Sequence, residues 1–252
     1  MNFNDEAMYH IGLRRSDGAK YAVICGDPGR VEKIARLMDE PEFVASKREY
    51  TTWSAKIDGE RVLVTSHGIG GPSTAICIEE LHMIGVDTVI RVGTCGGMAM
   101  DVKAGDTVVA QAAIRAEGTS REYLPVEFPA VADFDVTSAL RSAAIKSGNP
   151  YHIGVVQCKD SFYGQHSPER MPIGDELMTK WKTWIAGGCL ASEMETATLF
   201  TVCATLGMRS GAVLHTVWNQ ERAGAGIEEP KSDNVMSASK CAVDAIKILI
   251  GR

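Results

Sequence analysis

Three glycine-rich stretches of this 252-residue chain hold the residues best suited to chemistry. "GDPGR" joins Gly26 to Arg30, "SHGIGGPS" runs from Ser66 to Ser73, and "RVGTCGG" sets Arg91 and Thr94 among small residues. Glycine lets backbone N–H groups approach a ligand, and a helix N-terminus favours anions. A cation in a first helical turn, where Arg30 falls, opposes the helix dipole unless an anion lies between them. Arg91 poses the sharper question. It interrupts the apolar run "DTVIRV" with no carboxylate adjacent in sequence, and a buried guanidinium without a partner is costly. Two partners fit. One is a distant acid in a structural salt bridge. The other is an oxyanion ligand, held through two parallel hydrogen bonds and shared with Arg30.

Two later segments carry polar groups of a different kind. In "ASEMETATLF" (191–200), Ser192 and Glu195 have the spacing of a capping box. The alternative is a carboxylate pair, Glu193 and Glu195, near a sugar, accepting hydrogen bonds from its hydroxyls, with Met194 packed on the ring. In "KDSFYGQHSPER" (159–170), Phe162 could stack on a planar base, Gln165 could pair with a donor–acceptor edge, and Arg170 could donate to carbonyls. The plain alternative is a surface loop with a solvated His166. Lys159 follows an apolar strand and could face the same cavity.

These residues need elements to hold them. "YAVIC" (21–25), "RVLVTS" (61–66), "DTVIRV" (87–92), "DTVVAQAAI" (106–114), "HIGVVQC" (152–158) and "RSGAVLHTVW" (209–218) read as strands. Helical patterns lie between them: "VEKIARLMDE", with Asp27 as N-cap and Pro28 in the first turn, then "TAICIEELHMIG", "EMETATLFTVCATLG" and the C-terminal "SDNVMSASKCAVDAIKILI". The alternation predicts an α/β fold: one domain over residues 1–252, a three-layer sandwich with a central mixed β-sheet flanked by helices. Ligands of such sheets bind beyond the carboxyl ends of the strands, where the three glycine-rich stretches fall.

Composition narrows the function classes. A net charge of −6 without a basic run argues against nucleic-acid binding. The start of the chain lacks the features of a signal peptide, and no apolar run is long enough to span a membrane, so a cytoplasmic location is expected. The seven cysteines form no CxxC pair and read as reduced core residues. The histidines have no HxxxH spacing, which argues against a transition-metal site, and no GxGxxG fingerprint supports a dinucleotide.

Taken in order, "GDPGRVEKIA", "REYTTW", "GIGGPSTAI", "RVGTCGG", "EFPAVADF", "DSFY" and "SEMETATL" resemble the nucleoside phosphorylase-I family, most of all its bacterial uridine-cleaving members. The resemblance implies that uridine and inorganic phosphate, as co-substrates, give uracil and ribose 1-phosphate, with no organic cofactor required. It places phosphate against Gly26, Arg30, Arg91 and Thr94, with Arg48 reaching in from a neighbouring subunit. Ribose would meet Thr94, Met194 and Glu195, and His10 of the neighbour. Uracil would lie near Phe162, Gln165, Arg170 and Gly96. Arg30, Arg91 and Glu195 would carry the catalysis. Members are commonly homohexamers built from dimers. Some bind a monovalent cation such as K+ at the dimer interface, at positions matched by Glu49, Ile69 and Ser73.

The chain departs from the family pattern in three places. Cys95 follows Thr94, where "GTTG" is usual. "FYGQHSPER" lengthens the usual "FYPGQER". "NQER" puts Gln220 where an arginine is expected, so Arg222 or Lys159 would have to supply the missing charge. A purine-cleaving relative would carry an aspartate after the last main strand. "HTVWNQER" has none, which favours a pyrimidine. A non-catalytic nucleotide or anion sensor on the same fold is the alternative from another class.

Overall fold

The computed structural model describes residues 6–227 and 229–251. Its strands are β1 (Tyr21–Cys25), β2 (Asp39–Lys47), β3 (Tyr50–Ile57), β4 (Glu60–Ser66), β5 (Thr88–Gly97), β6 (Thr107–Ala116), β7 (Ala130–Val131), β8 (Tyr151–Lys159), β9 (Ala191–Glu193) and β10 (Arg209–Asn219). Its α-helices are α1 (Pro28–Ala35), α2 (Gly71–Met83), α3 (Thr119–Tyr123), α4 (Phe134–Ser147), α5 (Phe162–His166), α6 (Gly174–Ala186), α7 (Thr196–Leu206), α8 (Gln220–Gly224) and α9 (Met236–Ile250).

The strands form one mixed sheet in the order β10-β6-β8-β9-β5-β1-β4-β3-β2, and β10 also pairs with β5. That second pairing closes β5, β9, β8, β6 and β10 into a ring, from which β1, β4, β3 and β2 extend as an open wing. Helices cover both faces. One core packs Ile78, Leu81, Leu199 and Phe200 of α2 and α7, and the other packs Val31, Leu140 and Ile246 of α1, α4 and α9. The expected mixed sheet between helical layers is therefore present.

Local chemistry explains the boundaries. The Asp27 carboxylate accepts from the Gly29 N–H at 2.8 Å and Pro28 opens α1, as the sequence predicts. That helix stops at Ala35 rather than running through "LMDE", because Asp39 begins an edge strand. The glycines of "GTCGG" are not loop. They continue β5 to Gly97, paired with β10 on one side and briefly with β9. The wing strands β2 and β3 and the helices α4 and α6 were not among the expected elements. In α6, Leu177, Trp181 and Trp184 share one face at helical spacing, a signal that was readable. All seven cysteines are buried and unpaired, as expected. Among the described residues no helix is long and apolar enough to cross a membrane.

Candidate active site

A cavity of about 980 Å³ opens at the carboxyl ends of β1, β4 and β5, against the ends of β8 and β10. Arg91 lies in its floor. Its backbone sits in register between Ile24 of β1 and Ala212 of β10, so both neighbours fix where the side chain starts. The guanidinium folds back over Gly93, where an added Cβ would stand 1.8 Å from Nη1. Only glycine leaves that space.

Arg91 has distant acids as partners. Nη2 donates to Glu195 Oε2 and lies 3.4 Å from Glu193 Oε2. Yet Nε and Nη1 are buried with no partner among the described residues. The distant-acid branch holds. One edge of the guanidinium is spent on carboxylates, and two donors remain. A buried donor without an acceptor costs about 1–3 kcal/mol, more when charged, so an acceptor from outside the protein is the economical completion.

Glu195 is equally fixed. Its Oε1 accepts from the Gly70 N–H at 2.6 Å. Burial pushes its carboxyl towards the neutral form, but Arg91, His67 and the Gly70 N–H outweigh burial and hold it ionised below the ordinary carboxylate range. The capping box is not formed. Glu193 takes that role, accepting from the Glu195 N–H at 2.9 Å and the Thr196 N–H at 2.9 Å, while Ser192 belongs to β9 and turns elsewhere. This frees Glu195 for the cavity. Behind it, His67 is fully buried, pushed down to about 4 by burial and by Arg91, and therefore neutral near pH 7.

Gly26, Arg30 and Thr94 complete this end of the cavity. Arg30 Nε stands 3.7 Å from Asp27 Oδ2, a long and exposed contact that leaves most of the guanidinium free. A Cβ at Gly26 would meet the Gly68 carbonyl at 2.9 Å, so the two loops touch backbone to backbone.

The opposite end is built from side chains. Buried Lys159 donates to Ser192 Oγ at 2.7 Å, and Ser192 Oγ also bonds Gln165 Oε1 at 2.6 Å and Gln157 Oε1. Burial lowers the Lys159 pKa, with Glu193 opposing it. Phe162, His166 and Trp218 form an aromatic border, with 4.3 Å between the first two ring centroids. His166 is thus part of the wall, not the solvated residue expected. Burial, then Lys159, lowers its pKa. Met194 and Gly96 also line the cavity.

Several expected residues stand elsewhere. Arg170 ends a 3-10 turn (Pro168–Arg170), is exposed and is off the wall. Arg222 lies 2.6 Å from Glu229 and donates to the Met100 carbonyl at 2.7 Å, so it is committed away from the cavity. Gln220 does not line it either. His10 is held by Glu80 through its backbone N–H and ring, and Arg48 sits exposed at φ 56 in the turn between β2 and β3. Neither borders the cavity of its own chain. Ile69 lines the rim, Ser73 Oγ donates to the Ile69 carbonyl at 3.2 Å, and the Glu49 side chain packs beside Gly68. Sequence reasoning missed His67 and Trp218, and it foresaw Glu193 only as half of the acidic pair in "EME", not as the cap at the start of α7.

Residues 20–250 match the family model described as the phosphorylase superfamily. A uridine phosphorylase of Treponema pallidum is 50% identical over 98% of this chain and 96% of its own length. That of Escherichia coli (strain K12) is 42% identical over 96% of this chain and 98% of its own. A guanosine phosphorylase of Halorubrum lacusprofundi is 38% identical over 95% of this chain and 98% of its own.

Proposed function

From the premise that the chain belongs to the phosphorylase superfamily, we propose that it is a uridine phosphorylase of pyrimidine salvage, interconverting uridine and phosphate with uracil and ribose 1-phosphate. The observation that carries this reading is Arg91: a buried guanidinium with one edge on Glu195 and two donors unspent, beside Arg30.

The chemistry follows from that arrangement. Breaking the C1′–N1 bond leaves positive character on the ribose and negative charge on the departing base. Phosphate, held by Arg30 and Arg91 with Gly26 and Thr94, attacks C1′ from the opposite face. Such positioning is worth up to about 7–11 kcal/mol. Glu195, kept ionised by Arg91, accepts from ribose hydroxyls and orients the sugar over the phosphate. The leaving uracil is a delocalised anion, and donors aimed at its carbonyls stabilise it, each worth about 10²–10³ in rate in other enzymes. Lys159, a buried cation at the aromatic end, supplies that charge in place of the committed Arg222 and the exposed Arg170.

The same reading takes phosphate as co-substrate, with no organic cofactor, and a cytoplasmic homohexamer built from dimers. His10 and Arg48 would complete the site of a neighbour, which suits residues that do not line the main cavity of their own chain. Glu49, the Ile69 carbonyl and Ser73 offer oxygen donors suited to a hard cation such as K+.

Product analysis of uridine, thymidine, inosine and guanosine, each with and without phosphate, tests the reading. Uracil and ribose 1-phosphate from uridine only with phosphate are expected. Free ribose without phosphate would mean a hydrolase, preference for guanosine would mean a purine enzyme, and no turnover would mean a sensor.

A further inference from the structure

Behind the aromatic end lies a second cavity of about 410 Å³, within the size range of small-molecule sites. It opens between the ends of β6 and β8, the short helix α5 and the Leu177–Trp181–Trp184 face of α6. None of the expected chemistry uses it. Its walls have three properties.

First, it is basic in an acidic chain. Arg115, Arg121, Lys159, Lys180 and Lys182 border it against one carboxylate, Asp160, while the chain as a whole carries −6. Arg115 is spent on the Ser120 hydroxyl and on backbone carbonyls, and Lys180 has Glu176 one turn away. Arg121 and Lys182 remain at the exposed rim. Second, two indoles, Trp181 and Trp184, supply flat apolar surface. Third, its inner wall is amide. Gln157, Gln165 and Gln220 all border it. A flat wall, an amide edge and a cationic rim match one ligand class: a planar heterocycle with donors and acceptors on its edge, joined to an anion.

We infer that this cavity is a regulatory site for a nucleoside monophosphate, with the base between the tryptophans and the amides and the phosphate at the Arg121–Lys180–Lys182 rim. The site is built to couple, because Lys159 and Gln165 line both cavities. Ser192 has one hydroxyl proton, yet the amide oxygens of Gln157 and Gln165 both lie within hydrogen-bond reach of it. One acceptor goes unserved unless an amide turns over. A bound base that donates to Gln157 leaves the proton to Gln165, and so selects which edge Gln165 shows to the main cavity. Coupling of this kind is reciprocal.

The test uses uridine 5′-monophosphate as probe, the parent protein, and a Lys180→Glu, Lys182→Glu double variant. Both lysines are exposed and neither lines the main cavity, so basal turnover should be unchanged. Calorimetric titration should show binding that persists at saturating uridine. The double variant should weaken it about tenfold or more, equivalent to about 1.4 kcal/mol. Uridine turnover should move to a plateau, not to zero, as the nucleotide is added. Binding that uridine displaces and the charge reversal leaves intact overturns the inference, because it places the nucleotide in the main cavity. Absence of binding overturns it as well. Uracil and phosphate offered separately should bind the second cavity far more weakly. The coupling rests on the reading of the main cavity as a uridine site, whereas the titration decides occupancy even if uridine is not turned over.

Discussion

The two ends of the main cavity are made differently. At the arginine end, position comes from backbone. Arg91 grows from a strand hydrogen-bonded on both sides, Glu195 is pinned by the Gly70 N–H, and Gly26 touches the Gly68 carbonyl. At the aromatic end, position comes from side chains. Lys159, Ser192, Gln157 and Gln165 hold one another, and the ring border sits on a short helix. Backbone-built geometry tolerates few substitutions. A side-chain network can be rewired residue by residue, and here it has been: the arginine expected near position 220 is absent and a buried lysine stands in the wall.

That contrast makes its largest claim at Arg91. Replacing it with Met leaves Glu195 and Glu193 buried without their cation, which should cost about 3–5 kcal/mol of stability, measured by denaturant unfolding. Phosphate-dependent turnover should fall at least about 10²–10³-fold. Retention of the parent rate would sever the arginine end from the reaction. Gly93→Ala tests the backbone argument without removing a charge. Its methyl would displace the guanidinium, and a shift of about 1 Å can cost about 100-fold. The loss should be larger in kcat/KM for phosphate than in kcat/KM for uridine.

At the other end the effects should be smaller and pH-dependent. Lys159→Met should lower turnover of uridine about tenfold to a hundredfold. Lys159 acts as a cation, and burial brings its pKa below the ordinary 10.5, so parent activity should fall as pH rises through that lowered value. The stability change has the opposite sign. Between the lowered folded value and 10.5 the unfolded chain binds more protons, so the parent gains stability with rising pH relative to Lys159→Met. Activity and stability moving together across that window would remove Lys159 from the role. The smallest effects belong to Arg170→Ala and Arg222→Ala, both off the wall, which should stay within about twofold in kcat for uridine.

The same division explains what was legible in the sequence. Strand-to-helix turns have local signatures, so Gly26, Arg30, Arg91 and Thr94 could be placed together from glycine spacing and apolar runs alone. What Arg91 would meet was not legible, because Glu195 lies 104 residues away in sequence. The capping-box spacing of Ser192 and Glu195 was misleading, since a β-bridge claimed Ser192 and Glu193 capped the helix instead. At the aromatic end the decisive facts are tertiary. Whether Arg222 points inward depends on Glu229, and whether Arg170 does depends on how a lengthened loop turns. The ring closure of β10 onto β5 was equally invisible, because strand runs do not disclose their second neighbour.

The seven buried cysteines have a consequence for how the molecule opens. Burial pushes every one of these thiols up, those of Cys25 and Cys95 to about 12, so almost no thiolate exists at neutral pH in the closed molecule. A thiol reagent therefore reads breathing rather than surface. Cys95 borders the main cavity and Cys241 lies on the buried face of the C-terminal helix, against α4, so the order in which they are labelled reports whether the ring of strands or the outer helical layer loosens first.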